Sequence, residues 1–221
     1  MSRNRAYLIY LLLFGFILFA SSTEISAVTM PKCSGGQPLS KDEKLELLNK
    51  LRISNAGKTL ILSLQTTKKI ELLWNKSSFS EILNSTGRGL VCIHLTKELP
   101  QIEHIADLAH ELTHITKMSY ENLKGSFNKL EDFVASRISA KGGEADAFMN
   151  ECVVKKEITG HWDAICTPYI SKDDEPKDHL NRDKIVDDLY NGELSASLTG
   201  EPYPIMLAKQ FHSILLHRKQ Q

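Results

Sequence analysis

The sequence has no excess of either charge. Lysine and arginine together number 27, and aspartate and glutamate together number 27, so the formal net charge at pH 7 is zero. Binding nucleic acid along a broad basic face needs a net positive field, and this balance argues against it. Gly-X-Y repeats and heptad runs are also missing, which excludes a collagen and a long coiled coil. The composition, 42% hydrophobic and 24% charged, is instead typical of a globular domain.

Long apolar runs are scarce as well. The main one is the uncharged stretch from Ala6 to Ala20, which follows Arg3 and Arg5. Its length suits a signal-peptide core of about 7–15 residues better than a bilayer span of roughly 20. We therefore expect residues 1–27 to be a cleaved signal peptide, with an uncleaved N-terminal anchor as the alternative. Residues 28–221 would then form one exported domain, secreted or periplasmic, which meets a membrane only if the N-terminal segment is retained.

Cysteine is sparse, with four residues and no C-x-x-C pair, which argues against a cysteine-based metal site. An even number of cysteines in an exported chain indicates two disulfides. Three pairings are possible. We favour Cys152–Cys166, which closes a short loop, together with Cys33–Cys92, which would tie the N-terminal segment to the body of the domain.

Apolar periodicity and capping signals predict an α+β domain that is mostly α and has a small sheet. Helices are predicted after a Ser40–Glu43 capping box, from Pro100 through Ile115, and over Phe127–Ser139, Glu144–Glu157 and Ile205–His217. A strand is predicted at Gly89–Thr96 and a possible one at Thr59–Leu64, whereas Lys69–Trp74 is ambiguous and residues 75–88 and 160–183 are expected to be irregular.

The segment that indicates chemistry is His110-Glu111-Leu112-Thr113-His114, an H-E-x-x-H motif within the predicted helix after Pro100. Residues four apart lie on one helical face, so both imidazoles can reach one ion. Zinc accepts histidine nitrogen at about 2.0–2.1 Å, keeps a position for water in catalytic sites, and lowers the pKa of that water to about 7. Glu111 would take the proton of the water as it attacks a carbonyl and then pass it to the leaving amine.

With HELTH at residues 110–114 and GGEADAF at residues 142–148, the chain resembles the zincin metallopeptidases, and within them the glutamate-type branch called gluzincins. The resemblance implies a zincin-like domain, zinc as cofactor, hydrolysis of peptide bonds, and a peptide or protein substrate. It also implies a third zinc ligand, a glutamate on a following helix, and Glu144 matches that position.

Two departures from known patterns bear on this ligand set. Several gluzincin families have an aspartate four residues after the ligand glutamate, whereas here Phe148 stands at that position and Asp146 comes two residues after Glu144. The metzincin pattern, H-E-x-x-H-x-x-G-x-x-H, is excluded because Lys117 and Tyr120 replace its glycine and last histidine. The alternative third ligands are Glu151 and Glu131.

Supporting residues are expected around the metal. Ligand histidines usually have an outer hydrogen-bond partner, and the candidates are Asp146, Asp107 and Glu103. A donor for the developing oxyanion must also be present, and His161, in the loop between Cys152 and Cys166, is our best single candidate. Other possible donors are Tyr169, His179, Tyr190 and Tyr203. The strand at residues 89–96 could bind an extended peptide by edge addition.

Two classes of function therefore compete. The first is an exported zinc metallopeptidase with Glu111 as general base. The second is a non-enzymatic, disulfide-stabilised exported binding module with a structural or vestigial metal site. Glu111 argues against the second class, because a structural site does not need a general base. The oligomeric state is left open by the sequence.

Overall fold

A computed structural model of the protein describes residues 33–64, 69–83, 90–119, 127–171, 178–195 and 200–218. All of these residues belong to one unit, Lys32–Gln221. The expected signal peptide or anchor, residues 1–27, lies outside the described residues. Within the ranges above, no helix is both long and apolar enough to cross a membrane.

The described part of this unit is mostly helical and contains one small sheet. Its strands are β1 (Gln37–Pro38), β2 (Lys69–Asn75), β3 (Phe79–Leu83) and β4 (Leu90–Thr96). Its helices are α1 (Lys41–Leu51), α2 (Asn55–Leu64), α3 (Gln101–Lys117), α4 (Leu130–Ile138), α5 (Glu144–Thr159), α6 (Arg182–Asn191) and α7 (Tyr203–Arg218). The predicted α+β class, mostly α with a small sheet, is confirmed.

Local signals account for several of these boundaries. The capping box before α1 is formed, because Ser40 accepts from the backbone N–H of Glu43 while the Glu43 carboxylate accepts from the N–H of Ser40. Helix α3 begins directly after Pro100, where the missing proline N–H costs nothing. Helix α5 ends at Gly160, which takes up the left-handed conformation that glycine adopts without a Cβ penalty.

Three segments differ from expectation. The apolar run Thr59–Leu64 is the second half of α2, not a strand. It buries one helical face, and Gly57 lets α2 approach α1 so closely that a Cβ there would lie 2.2 Å from the carbonyl oxygen of Leu51. Strand β3 lies in a stretch expected to be irregular, and α6 follows an Asn181 cap that the prediction did not include.

The sheet has the order β1-β2-β4-β3. Strands β2 and β4 are parallel, whereas β3 is antiparallel to β4 and β1 is antiparallel to β2. Strand β4 is therefore an interior strand with all seven residues buried. The expectation that residues 89–96 could add an extended peptide is wrong, because both edges of β4 are already paired and β3 forms the edge instead.

Two large apolar clusters support the domain. The sheet-side core joins α1, α2, β4 and α3, and it includes Leu51, Leu60, Val91, Leu108 and Leu112. The helical core joins α4, α5, α6 and α7, and it includes Phe133, Phe148, Ile185, Leu207 and Phe211.

Both predicted disulfides are confirmed. Cys33–Cys92 ties the segment before β1 to the interior strand β4, and Cys152–Cys166 closes the loop that follows α5. Together they use all four cysteines. Two disulfides fit an oxidising compartment, where such bonds form and persist.

Candidate metal centre

Helix α3 presents two different faces to its surroundings. Leu108, Leu112 and Ile115 pack into the sheet-side core, as their helical spacing predicts. His110 and His114 lie four residues apart on another face, the one that meets α5. The helix is thus fixed by its apolar side, and its histidines are held in place without themselves having to provide the packing.

His110, His114 and Glu144 converge between α3 and α5. The Nε2 atom of His110 lies 3.2 Å from one carboxylate oxygen of Glu144, and the Nε2 atom of His114 lies 3.6 Å from the other. The three potential ligand atoms all lie within 4.8 Å of one another. The two imidazoles and the carboxylate that the sequence predicted as metal ligands therefore form a group that could hold a metal ion.

In each imidazole, Nδ1 is the nitrogen that does not face Glu144, and it lies next to a hydrogen-bond acceptor. His114 Nδ1 donates to the carbonyl oxygen of Gly142 at 2.8 Å, and His110 Nδ1 lies 3.3 Å from a Glu151 carboxylate oxygen. Because a carbonyl can only accept, Nδ1 of His114 carries the proton, and a neutral ring presents a free lone pair on Nε2. Metal-binding histidines are usually oriented in this way, so the residues present fit a metal ion.

The backbone conformation and close packing at position 142 require a glycine. Its φ is +78°, and a Cβ would lie 2.4 Å from the backbone nitrogen of Met118 at the end of α3. The Asp146 carboxylate accepts from the N–H of Gly142 at 2.8 Å and from Arg182 Nε at 2.7 Å. Asp146, a predicted partner for an imidazole, thus holds the loop whose carbonyl orients His114 and does not touch the ring.

The two histidines and Glu144 each stabilise the charged form of the other. Burial alone would lower the pKa of His110, but hydrogen bonds to Glu144 and Glu151 and the nearby charge of Glu111 hold it well above its ordinary value of 6.5. The pKa of His114 is also raised, because the attraction of Glu144 more than offsets burial. Conversely, burial would raise the pKa of Glu144, yet the two imidazoles hold it far below its ordinary range.

Glu111 and Tyr203 complete the immediate surroundings. Glu111 is buried, with 7% of its surface exposed, and its charge acts on both histidines. The phenol of Tyr203, the first residue of α7, lies within electrostatic range of Glu144 and of Glu111. Burial, followed by the charges of Glu144 and Glu151, raises the pKa of the Tyr203 phenol well above 10, so the phenol keeps its proton.

His161, the best single candidate for a donor, lies elsewhere. It follows the C-terminal end of α5, whereas Glu144 is the first residue of that helix. Sixteen residues at about 1.5 Å per residue separate the two ends by about 24 Å. The His161 side chain is exposed, and its Nδ1 lies 3.2 Å from the carbonyl oxygen of Thr159. The structure therefore brings Tyr203, and not His161, to the histidine–glutamate group.

The remaining candidates are distributed as follows. Glu131 is exposed in the first turn of α4 and does not join the group, whereas Glu151 touches the outer nitrogen of His110. Asp107 lies 2.5 Å from Ser78 Oγ, and Glu103 pairs with Lys155. Tyr169 is buried in the helical core, Tyr190 lies on α6, and His179 precedes α6.

Two residues that orient the imidazoles were not assigned that role from the sequence. Glu151 lies seven residues after Glu144, which places both on one face of α5, and this spacing was the available signal. Gly142 entered the sequence analysis only as part of the GGEADAF segment, and no role was assigned to it. The contact of its carbonyl oxygen with His114 depends on how the segment after α4 packs against the end of α3, and no local sequence pattern specifies that packing.

Comparison with known proteins gives no match, whether with protein families, with curated proteins or with solved structures. The function must therefore be inferred from the site itself. The fold and the site together define an α+β domain that is mostly α and has two disulfides. This domain carries two histidines and one glutamate that could hold a metal ion.

Proposed function

We propose that the chain is an exported zinc metallopeptidase with a zincin-like, gluzincin-type site. His110, His114 and Glu144 would hold Zn²⁺, and Glu111 would act as general base. The observation that carries the proposal is the convergence of the two Nε2 atoms on the Glu144 carboxylate, with Nδ1 of each ring facing an acceptor. Two imidazoles and one carboxylate form a ligand set that zinc takes in catalytic sites.

The residues of the chain divide the chemistry between them. When bound, zinc would act as a Lewis acid and lower the pKa of a bound water to about 7. Glu111, next to His110 in sequence and buried, accepts the proton of the attacking water and passes it to the leaving amine. Tyr203 keeps its proton, so its phenol can donate to the carbonyl oxygen of the substrate as negative charge develops there.

Export is part of the proposal. The two disulfides need an oxidising compartment, and the arginines and apolar run at the start of the chain have the order of a signal peptide. The substrate would then be a peptide or protein met outside the cytoplasm. Nothing in the balanced charge favours a nucleic acid.

The deciding experiment is Glu111→Gln, with zinc content and peptidase activity measured on the same samples. Elemental mass spectrometry counts zinc per chain, and dye-labelled casein together with a library of quenched fluorescent peptides reports hydrolysis. We expect the wild type to contain about one zinc and to cleave substrate. Glu111→Gln should keep the zinc and lose activity by at least about 100-fold, the lower end of what a positioned proton-transfer group contributes.

Glu131→Gln is the matched control, because it removes an exposed glutamate from a neighbouring helix and should change neither measurement. Zinc in the wild type without hydrolysis in any variant would favour the binding module with a structural metal. Absence of zinc after refolding in its presence would overturn the metal site itself.

A further inference from the structure

A buried lysine lies one helical turn beyond Glu151 on α5. Only 7% of the Lys155 side chain is exposed, and three carboxylates surround its ammonium group. The distances from Nζ are 2.6 Å to Glu103 on α3, 3.2 Å to Asp163 and 3.6 Å to Glu151. A buried ammonium is costly unless it is paired. The three carboxylates raise the pKa of Lys155 against the effect of burial, so it remains charged.

Glu151 connects this lysine to the metal centre. One of its carboxylate oxygens, Oε1, faces Lys155, and the other, Oε2, faces His110 Nδ1 at 3.3 Å. A carboxylate held at both oxygens has little freedom to rotate, so it fixes the plane of the imidazole that it contacts. Lys155 itself is too buried to reach a substrate, and none of its three partners is one of the proposed ligands.

We propose that Lys155 is a positioning residue of the metal centre, which holds the Glu151 carboxylate so that Glu151 aims Nε2 of His110. The inference rests on the proposed zinc site. Asp163, in the loop that the Cys152–Cys166 disulfide closes, and Glu103, on the metal-binding helix itself, anchor the lysine from two directions. The lysine thereby couples that disulfide loop to the orientation of one ligand.

The test is a double-mutant cycle on zinc affinity, measured by competition with a chromogenic chelator. Lys155→Met and Glu151→Gln should each weaken zinc binding about 10–100-fold, the range for outer partners of metal ligands. Because Lys155 acts through Glu151, Lys155→Met should have little further effect in the Glu151→Gln background. The absorption spectrum of the cobalt-substituted protein, which reports ligand geometry, should shift alike in both single variants.

Lys156→Met is the matched control. Lys156 is the next residue of α5 and pairs with Asp178, outside this network, so zinc affinity should stay at the wild-type value. If Lys155→Met fails to fold, Glu103→Gln removes the closest anchor of Lys155 and should weaken zinc binding in the same direction by a few-fold. That effect should also vanish in the Glu151→Gln background.

The outcomes separate this inference from the proposed function. If Lys155→Met binds zinc as tightly as Lys156→Met, or if its effect adds fully to that of Glu151→Gln, the positioning role is overturned while the zinc site stands. If the wild type binds no zinc, both fall together. If the cycle behaves as expected but no variant hydrolyses peptides, only the peptidase proposal is lost.

Discussion

The two sides of the candidate centre are built differently. His110, Glu111 and His114 come from five consecutive residues of α3, whose apolar face packs into the sheet-side core. Glu144 and Tyr203 come from the first residues of α5 and α7, which pack into the helical core. One side is therefore encoded by a local pattern, whereas the other exists only because two distant helices dock. We therefore expect that both sides are needed for zinc binding and catalysis. The variants below test the contribution of each side.

The largest effect should come from removing a ligand on either side. Glu144→Ala and His114→Ala should each weaken zinc binding by more than about 100-fold, because even the outer partners of metal ligands are worth 10–100-fold. Elemental analysis and chelator competition measure this loss. Glu131→Ala is the control and should retain full zinc. If Glu144→Ala keeps its zinc while Glu151→Ala loses it, the helical side supplies the ligand from Glu151 instead.

The next effect separates catalysis from binding on the helical side. Tyr203→Phe removes the phenol hydroxyl that lies near Glu144, and it should lower kcat about 100-fold, as expected for one lost oxyanion donor. Zinc content and KM should stay near the wild-type values. Tyr190→Phe, on the neighbouring helix α6, is the control and should leave kcat unchanged. A fall in zinc content in Tyr203→Phe would mean that the phenol supports the metal site and not the transition state.

The same comparison shows what the sequence could predict. The H-E-x-x-H helix was predictable because a 3.6-residue apolar period and a proline start identify it locally. Strand β4 and the start of α5 were predictable for similar reasons. The disulfides followed from loop length and the count of cysteines. Each of these signals lies within one segment or depends on the number of residues of one type.

The failures are those that depend on packing between segments. Thr59–Leu64 is apolar enough for a strand, and only its docking against α1 through Gly57 makes it a helix. His161 was favoured because a disulfide loop holds it, but the length of α5 carries it away from Glu144. Tyr203 was one of several possible donors, and its selection requires knowing where α7 begins relative to α5. No local pattern contains that information.

Substitution of Gly142, which lies where the two sides of the centre meet, should have a smaller effect on zinc affinity. Gly142→Ala should destabilise the fold and weaken zinc binding about 10-fold, since the displaced carbonyl would no longer hold His114 Nδ1. Gly160→Ala is a closely matched control. Both glycines have positive φ, +78° and +81°, but a Cβ at Gly160 meets nothing within 4 Å. Both variants should lose about 1–2 kcal/mol to the left-handed conformation, and only Gly142→Ala should lose zinc affinity. Equal zinc affinity in the two would contradict the role of the loop.

The smallest expected effect is a dependence on pH that the helical side imposes on the histidines. Glu144 and Glu151 help hold the pKa of His110 above 6.5, so in the metal-free protein the protonated ring pairs with them. A raised pKa stabilises the metal-free fold fully below 6.5 and loses that contribution as pH rises through the folded value. Zinc instead needs neutral imidazoles, so its binding strengthens as pH rises, by about tenfold per pH unit for each proton displaced.

Calorimetry with and without zinc measures both the stability of the metal-free fold and the stabilisation by zinc as functions of pH. The rise in Tm on adding zinc should be small below pH 6.5 and should grow as the pH rises toward the raised pKa of His110, because zinc must displace the proton of that imidazole. Glu151→Gln removes one of the carboxylates that raise the pKa of His110, so the increase of zinc affinity with pH should level off at a lower pH than in the wild type. A zinc-induced change in Tm that stayed constant from pH 6 to pH 8 would show that the histidines do not titrate against the metal, and the two sides of the centre would then be electrostatically independent.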